Sequence, residues 1–568
     1  MYRYRTDKIS VLMQNEGTYP FVGGGVSTWC HILCENLTEI DWVIFAVVAE
    51  PTVDDRYDAL KLPQVDSAML VPLWGAEETA EYVDERPFAD VHRSKIATTD
   101  DVVETLFLPH FRVLLEGLES NEEDMERYGH AIWNMYRYFQ AYDYRITFRH
   151  PRTWETFRDH TLGLIQREAS LRAQPPPLFS LTTALRWLFN MFMPITKRVP
   201  ETTIAHATIA ASTCIAGVVS KLEYGTPFML TDHGVYARER YIACSSAPFD
   251  FYSRRFLARL GIFYSRLSYY YADIIAPCAH FNARWELMMG CAQQRREPLD
   301  LDPWENCGVV PNLTEAPFME PTYQALVDTG LIESYDQDTS FPWIRTIYNG
   351  VDTDRFKPGP KPEELRGIPT CVALARVFPL KDVLTMIRAC AVVRDQLPDV
   401  RFIVYGSLKA DPPYVAKCHE LIEELGLTDN FNLAGYHSRP HEAFWEGDIS
   451  LLSSISEGFP FTVLESMACG VPVVSTDVGG CKEAIGLGAD ACGLVVKPRD
   501  PQAFGEAVIQ MLTQPELRAE LARKSRERVL RLFQTDTSVE AYNNVYGELA
   551  KVKVDRRRTP PPWPVPCE

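Results

Sequence analysis

The two ends of the chain alternate between short apolar runs and helical patterns of hydrophobic residues. Near the start, Ile9–Met13 has the length and composition of a buried strand, Val26–Leu37 has a helical pattern, and Trp42–Val48 is a second apolar run of strand length. A glycine-rich loop connects the first strand to the helix. This strand–helix–strand order predicts a parallel sheet.

The middle of the chain departs twice from this alternation. The segment 52–173 is acidic and aromatic, contains helical stretches such as Phe111–Leu118 and Ala131–Phe139, and is followed by three consecutive prolines. We interpret it as an insertion in a first domain, closed by a linker. Strands and helices then resume until about Met289, and the irregular, proline-rich stretch 293–342 is interpreted as a second insertion.

A second regular alternation begins after Ile347. Five apolar runs are separated there by helical patterns, which predicts a second doubly wound α/β domain. The predicted strands are Cys371–Ala375, Arg401–Tyr405, Phe431–Ala434, Ile449–Leu452 and Pro472–Ser475.

The predicted organisation is two Rossmann-like domains of the α/β class. The N-terminal domain covers residues 1–345 and the C-terminal domain covers 346–535, and a helix at 536–555 is expected to pack back toward the N-terminal domain. The tail 556–568, rich in arginine and proline, is predicted to be disordered. Because ligands of open α/β sheets bind at the carboxyl ends of the strands, a cleft between the domains is the expected active site.

Composition narrows the classes of function. The 568 residues carry a formal net charge of -19, which argues against a general nucleic-acid binder because such proteins need a basic surface. The 14 cysteines form no Cys-x-x-Cys pair, so neither a zinc site nor a secreted disulfide framework is predicted. The first ten residues carry charges and lack an apolar core, so no signal peptide is expected. We therefore predict a cytoplasmic protein that reaches the inner membrane only through partners.

The stretch after Leu452 has the most informative polar residues. An apolar strand ends at Leu452, and the polar loop that follows carries Glu457. Pro460 suits the first position of the next helix, where the missing N–H group of proline costs nothing. This geometry places Glu457 in the loop at the carboxyl end of a strand.

The helix that follows this loop predicts an anion site. The unpaired N–H groups around Phe461 and Thr462 can bind an anion, and Glu465 lies on the first turns of the helix. The two glutamates thus flank the anion, one to accept hydrogen bonds from sugar hydroxyls and the other from ribose hydroxyls. The substrate-binding residues predicted here are Gly458, Phe459, Pro460, Phe461, Thr462 and Glu465.

Two cations follow the first strand of the C-terminal domain. Arg376 and Lys381 both project where this strand ends and a helix opens. Two positive charges at that place can neutralise a diphosphate leaving group as a glycosidic bond breaks. We predict that both residues are catalytic.

The N-terminal domain supplies weaker signals. The Gly23-Gly24-Gly25 loop would let the backbone approach a phosphate or a sugar closely. His233 lies at a strand end beside a glycine and could bond the donor sugar or shield positive charge, whereas His206 is a weaker candidate. Gly24 and Gly25 are therefore predicted to bind substrate, and His233 is predicted to be catalytic.

These motifs resemble family 4 of the retaining glycosyltransferases, which have the GT-B fold. The resemblance covers most of 345–535, the first strand and helix, and the region from His206 to Met289. It rests on the glycine-rich first loop, Ile347–Asp352, Arg376, Lys381 and Glu457–Glu465. More narrowly, Glu16–Ser27 and Thr231–Arg240 resemble the PelF-like enzymes of bacterial Pel exopolysaccharide synthesis.

The resemblance implies a role for each candidate. Arg376 and Lys381 would bind the donor diphosphate, and Glu457 and His233 would lie beside the donor sugar. Glu465 would hold the ribose, and Gly24 and Gly25 would cover the phosphates. PelF-like enzymes use uridine-diphosphate sugars and act with membrane-bound partners. The resemblance therefore implies a nucleotide sugar, a polysaccharide acceptor and a membrane-bound synthase complex as partners.

The expected function is retaining transfer of a hexose or N-acetylhexosamine from a UDP-sugar to a growing polysaccharide. No Asp-x-Asp motif serves the proposed site, so neither a metal nor another cofactor is predicted. A non-catalytic nucleotide-sugar scaffold and a sugar phosphorylase are the alternatives. The two insertions and Asp382, which stands where glycine is common in the family, depart from the family pattern.

Overall fold

The computed structural model describes residues 8–17, 19–21, 24–49, 65–74, 87–119, 124–289 and 343–552. The predicted second insertion, 293–342, and the predicted disordered tail, 556–568, lie outside these residues. Two parallel six-stranded sheets form the framework.

The N-terminal sheet has the strand order β3-β2-β1-β4-β5-β6, and all its pairings are parallel. Its strands are β1 (Ser10–Glu16), β2 (Asp41–Val48), β3 (Val65–Pro72), β4 (Ile204–Ala207), β5 (Phe228–Leu230) and β6 (Ile274–Ile275). Helix α1 (Gly25–Asn36) connects β1 to β2, as the pattern of hydrophobic positions predicted.

The structure corrects the bounds of the first insertion. Val65–Pro72, inside the predicted insertion, is the edge strand β3, and the helices continue beyond the three prolines to Met191. An edge strand contacts one neighbour and keeps exposed residues such as Ser67 and Ala68, so its apolar run is interrupted. The inserted α-helices of five or more residues are α2 (Phe88–Ala97), α3 (Leu108–Glu119), α4 (Met125–Phe139), α5 (Tyr144–Arg149), α6 (Pro151–Arg167), α7 (Ala169–Ala173) and α8 (Leu178–Met191).

The remaining helices of the N-terminal domain flank β4 to β6. They are α9 (Cys214–Tyr224), α10 (Tyr236–Ser246), α11 (Phe251–Tyr271) and α12 (His280–Met288). Alternate residues of β1 face opposite sides of the sheet, as strand geometry requires. Leu12 packs toward the inserted helices, whereas Val11 and Met13 pack on the side of α1.

The C-terminal sheet has the order β12-β11-β10-β7-β8-β9, again with parallel pairings. Its strands are β7 (Thr370–Leu374), β8 (Arg401–Tyr405), β9 (Phe431–Gly435), β10 (Ile449–Leu452), β11 (Val473–Thr476) and β12 (Gly493–Val496). Its helices are α13 (Val383–Arg394), α14 (Pro412–Glu424), α15 (Pro440–Glu446), α16 (Phe461–Ala468), α17 (Cys481–Ile485), α18 (Pro501–Thr513) and α19 (Pro515–Leu532). The predicted pair of doubly wound α/β domains is confirmed.

The helix that follows the C-terminal sheet, α20 (Thr535–Lys551), packs on the N-terminal domain. Tyr542 and Tyr546 are fully buried in the same core as Trp29 of α1 and Trp42 of β2. This is the position that the sequence predicted for a C-terminal helix. Among the helices that the structure describes, none has the length and apolarity to cross a membrane.

Candidate active site

Lys381 and Glu457 form an ion pair at the carboxyl edge of the C-terminal sheet. The Lys381 Nζ and Glu457 Oε1 atoms are 2.5 Å apart, and the Ser454 hydroxyl donates to the same Glu457 oxygen at 2.5 Å. The lysine side chain is 20% exposed and that of the glutamate is 10% exposed. The two residues come from the loops after β7 and β10, which are neighbouring strands, and this brings together side chains that are 76 positions apart in the sequence.

Arg376 lies two residues beyond β7. Its guanidinium carbon lies 5.0 Å from the centre of the Phe378 ring, which positions the group by a cation–π contact. Within the described residues, Arg376 makes no ion pair with a carboxylate. A guanidinium held in place without an anionic partner is suited to bind a phosphate group.

Asp382, which stands where glycine was expected, adopts a backbone conformation that glycine takes most easily. Its φ of 45° lies in the left-handed region, where glycine is the least strained residue. Aspartate tolerates this region better than most residues do. Here its carboxylate also caps α13, accepting hydrogen bonds from the Thr385 hydroxyl at 2.7 Å and the Thr385 N–H at 3.4 Å. The cap compensates part of the backbone strain that a glycine would avoid.

The loop that carries Glu457 ends at Pro460, one residue before α16. The sequence placed Pro460 at the first helical position, whereas the structure has it as the residue preceding the helix. The N–H groups of Phe461 and Thr462 lie in the first turn and have no partner within the helix. The Phe459 ring is only 3% exposed and packs against Tyr348 and Phe533, so it belongs to the core.

Glu465 lies one turn further along α16. Burial raises the pKa of its carboxyl group to about 7, and the positive charge of Arg355 opposes the shift. In the part of the chain that is described, its side chain makes no hydrogen bond. A carboxyl group at this place can accept hydrogen bonds from ligand hydroxyls.

Gly458 lies at the interface between the two domains. A Cβ atom at Gly458 would lie 1.8 Å from the backbone oxygen of His233, so no larger residue fits without moving the domains apart. Across the same interface, a Cβ at Gly25 would lie 3.5 Å from the Phe461 ring. The structure thus brings four predicted site residues together: Gly25 and His233 from one domain, Gly458 and Phe461 from the other. Gly24 precedes α1 with open space around it, and Gly23 lies outside the described residues.

The His233 ring packs edge-on against Trp29 at 4.5 Å between ring centres. Burial lowers the pKa of His233 to about 3, so the ring is neutral at physiological pH. Its Nε2 atom has no hydrogen-bond partner among the described residues. Through this atom, neutral His233 can donate or accept one hydrogen bond without adding positive charge to the site.

His206 has a structural role. Its Nδ1 atom lies 2.7 Å from the Tyr546 hydroxyl and its Nε2 atom lies 2.8 Å from the Thr231 hydroxyl. Both ring nitrogens are thus occupied, and the ring is fully buried. The contact ties α20 to the N-terminal sheet next to His233.

Several residues of the interface were not assigned a role from sequence. Arg238 donates to the Ser456 hydroxyl and to the Ile455 backbone oxygen, and so holds the Glu457 loop from the opposite domain. The Glu483 carboxylate accepts from the backbone N–H groups of His280 and Phe281 at 2.8 and 2.6 Å, which caps α12 across the interface. Such pairings depend on how the domains meet, which no local pattern encodes.

The two parallel six-stranded sheets form the GT-B fold, which solved glycosyltransferase structures share. Residues 357–528, within the C-terminal domain, match the family described as "Glycosyl transferases group 1". Residues 9–294 match the family described as "Domain of unknown function (DUF3492)". That match covers half of the chain, and the protein belongs to this family.

Solved structures share the fold at low sequence identity. Sucrose-phosphate synthase from Thermosynechococcus elongatus is 15% identical with a TM-score of 0.53, over 95% of this chain and 99% of the other. HepE from Anabaena in complex with UDP is 12% identical with a TM-score of 0.51, over 95% of this chain and 100% of the other.

Curated relatives match over a shorter length. D-inositol 3-phosphate glycosyltransferase 2 of Catenulispora acidiphila is 31% identical over 220 residues, which are 36% of this chain and 50% of the relative. Exopolysaccharide phosphotransferase of Streptomyces coelicolor is 32% identical over 191 residues, which are 33% of this chain and 20% of the relative. The chain thus spans half or less of the length of these relatives.

Proposed function

We propose that this protein is a retaining glycosyltransferase that transfers a hexose or N-acetylhexosamine from a UDP-sugar to a growing polysaccharide. The observation that carries the proposal is the arrangement of Arg376, Lys381 and Glu457 at the carboxyl edge of the C-terminal sheet, opposite His233. Two cations beside a helix N-terminus suit a diphosphate, and a carboxylate beside them suits a sugar hydroxyl.

The cations act on the leaving group. As the bond between the sugar and the diphosphate breaks, negative charge develops on the departing phosphate oxygen. Arg376 and Lys381 stabilise that charge, and the first-turn N–H groups of α16 add hydrogen bonds. The sugar acquires oxocarbenium character, and the acceptor hydroxyl attacks from the face that the diphosphate leaves. The departing phosphate oxygen takes the acceptor proton, which accounts for retention without a covalent intermediate.

The ion pair between Lys381 and Glu457 couples binding of the donor diphosphate to recognition of the donor sugar. A bound diphosphate competes with Glu457 for the ammonium group of Lys381. The Glu457 carboxylate, still held by the Ser454 hydroxyl, then accepts a hydrogen bond from a sugar hydroxyl. Neutral His233, with an unpaired ring nitrogen, offers a second hydrogen bond to the sugar. Glu465 is assigned to the ribose.

The cellular setting is part of the proposal. An exopolysaccharide role of the Pel-like type is supported by the motifs Glu16–Ser27 and Thr231–Arg240, and one relative is named as an exopolysaccharide phosphotransferase. UDP as the nucleotide is supported by the fold it shares with the UDP complex of HepE. We place the protein in the cytoplasm, at the inner membrane through a synthase complex, and expect turnover without a metal ion.

Nucleotide release by the purified protein tests the proposal. UDP-, GDP- and ADP-sugars are supplied with and without acceptor oligosaccharides, and each is repeated after chelation of metal ions. We expect release of UDP from one UDP-sugar and a loss of about 100-fold or more in Lys381→Ala. The matched control is Lys417→Ala, which removes an exposed lysine of α14.

The outcomes separate the alternatives. Full turnover by Lys381→Ala would remove the assigned role of that lysine. Binding of a UDP-sugar without release, with or without acceptor, would favour a nucleotide-sugar scaffold. Release that requires inorganic phosphate, together with the absorbance of pyridoxal phosphate in the purified protein, would favour a sugar phosphorylase.

A further inference from the structure

A group of polar side chains lines the N-terminal side of the cleft, at the carboxyl end of β1. Glu16 is the last residue of β1, and the Ser212 hydroxyl donates to its Oε2 atom at 3.2 Å. Glu239 and Arg240 lie on the first turns of α10. Burial raises the pKa of both Glu16 and Glu239, and the positive charge of nearby Arg240 is the main opposing influence on each. We call Glu16, Ser212, Glu239 and Arg240 the acceptor-side cluster.

The hydrogen-bonding capacity of this cluster is largely unused. In the described chain, the Glu239 carboxylate makes no hydrogen bond or ion pair within bonding distance. The Arg240 guanidinium lies over the Tyr236 ring at 5.1 Å, and its Nε atom has no hydrogen-bond partner. Glu16 has the Ser212 hydroxyl as its one side-chain donor there. Polar groups held in place and unsatisfied are expected to be paired by a ligand or by ordered water.

Gln14 gives an independent indication of a missing partner. It lies two residues before Glu16, on the same face of β1, and its side chain is fully buried. Neither its amide nitrogen nor its amide oxygen has a hydrogen-bond partner among the described residues. A buried amide with all its hydrogen bonds unmade is destabilising, so a bound group or water on this face would lower the free energy of the fold.

The cluster opens onto the candidate active site. Glu239 is close enough to Glu457 and Lys381 for both charges to affect the pKa of its carboxyl group. Its Oε1 atom lies 2.6 Å from the point that a Cβ at Gly234 would occupy, directly after His233. A ligand on the acceptor-side cluster therefore lies between the N-terminal domain and the proposed donor site.

We propose that the acceptor-side cluster binds an uncharged, hydroxyl-rich sugar unit of the acceptor and discriminates against acceptors that carry phosphate. Two carboxyl groups can accept from sugar hydroxyls, and the guanidinium can donate to them. The charges that act on Glu239 also include the cations Arg238 and Lys381 and the carboxylate of Glu457, so the cations near the cluster are matched by as many carboxyl groups. A phosphate therefore meets no surplus of positive charge, and desolvating it there would cost free energy. This inference rests on the proposed function, because it names the acceptor class of the same cleft.

Equilibrium binding tests the inference without requiring turnover. The full-length protein is saturated with UDP, and calorimetry then measures binding of maltose, cellobiose, N,N′-diacetylchitobiose, glucose 6-phosphate and inositol 3-phosphate. We expect a neutral disaccharide to bind at least about tenfold more tightly than either phosphate. Glu239→Gln should weaken binding of that disaccharide by about tenfold, through loss of a hydrogen bond to a charged group. It should change the affinity for UDP by less than about threefold, because Glu239 makes no ion pair with Lys381 among the described residues.

The controls separate this inference from the proposed function. Glu424→Gln, which changes an exposed glutamate of α14, should alter neither affinity. Failure of the protein to bind UDP or any UDP-sugar would count against the proposed function itself. If UDP binds normally, three results would each overturn the assignment of the acceptor class. They are tighter binding of a sugar phosphate than of a disaccharide, no binding of any sugar, and an unchanged disaccharide affinity in Glu239→Gln.

Discussion

The Nζ atom of Lys381 lies 2.5 Å from the Oε1 atom of Glu457, and the pair joins the loops of two neighbouring strands. Each member neutralises the charge of the other. Because the pair is partly buried, removing one charge leaves the other poorly solvated. The two residues are therefore expected to act as a unit, and their single substitutions should not be additive.

Glu457→Gln should lower kcat by about 100-fold, because the neutral amide neither orients Lys381 nor accepts a sugar hydroxyl as strongly. The affinity for UDP should remain within about threefold, since UDP lacks the sugar. Steady-state nucleotide release and calorimetry with UDP measure the two quantities. The double variant Glu457→Gln/Lys381→Ala should be little worse than Lys381→Ala alone, and a fully multiplicative loss would contradict the coupling.

Gly458→Ala should strongly reduce transfer while the protein stays folded. The added methyl group would lie 1.8 Å from the His233 backbone oxygen, so the domains cannot approach as they do here. Circular dichroism should be unchanged and nucleotide release should fall by at least about tenfold. Gly547→Ala is the matched control, because a Cβ there meets nothing within 4 Å and alanine favours the helix. Wild-type turnover in Gly458→Ala would contradict the close approach.

Glu465→Gln should change the pH dependence of both stability and UDP affinity. The folded-state pKa of about 7 lies above the ordinary value, so the folded state favours the protonated form. The stabilisation from Glu465 is thus present at low pH and is lost as pH rises from about 4.5 through 7. Denaturant unfolding of wild type and Glu465→Gln should diverge across this window, with the variant the more stable at pH 8.

The same titration should appear in ligand binding. An ionised carboxyl group accepts ribose hydroxyls more strongly, so wild-type affinity for UDP should increase between pH 6 and 8. Glu465→Gln should flatten that increase. Equal slopes for the two proteins would mean that Glu465 does not contact the ribose.

Tyr546→Phe should destabilise the protein by about 1–3 kcal/mol, because the Nδ1 atom of His206 loses its partner inside the core. Denaturant unfolding measures the difference. Tyr241→Phe, on an exposed tyrosine, should have no measurable effect. A stability equal to that of wild type in Tyr546→Phe would imply that water replaces the lost hydroxyl.

The regular part of the fold was predictable because its strands are buried on both faces and form continuous apolar runs. The prediction for β7 is displaced by one residue, and β8 and β10 have the predicted bounds. The strands that sequence missed lie at sheet edges. Both β3 and β12 have a neighbour on one side only and retain partly exposed residues, which interrupts the apolar pattern.

For the candidate site, the sequence predicted which loops carry the polar residues, but it did not predict which side chains contact one another. Loop position after a strand was sufficient to select Arg376, Lys381 and Glu457. Phe459 was assigned to substrate with the rest of the loop that carries Glu457, but its ring packs against Tyr348 and Phe533, which are distant in sequence. The roles of Arg238, Glu239 and Glu483 depend on which residues the opposite domain presents, and that is set by tertiary packing.

Tyr542 and Tyr546 are buried beside Trp29 and Trp42, so the core of the N-terminal domain cannot be completed until the end of the chain has been synthesised. The first domain lacks one wall of its core until α20 has been synthesised, more than 500 residues after β1. During translation, Trp29 and Trp42 therefore lack their packing partners Tyr542 and Tyr546 until the whole C-terminal domain has been synthesised. A chain that stops before α20 would leave an aromatic surface uncovered, and quality control could recognise such incomplete products by that surface.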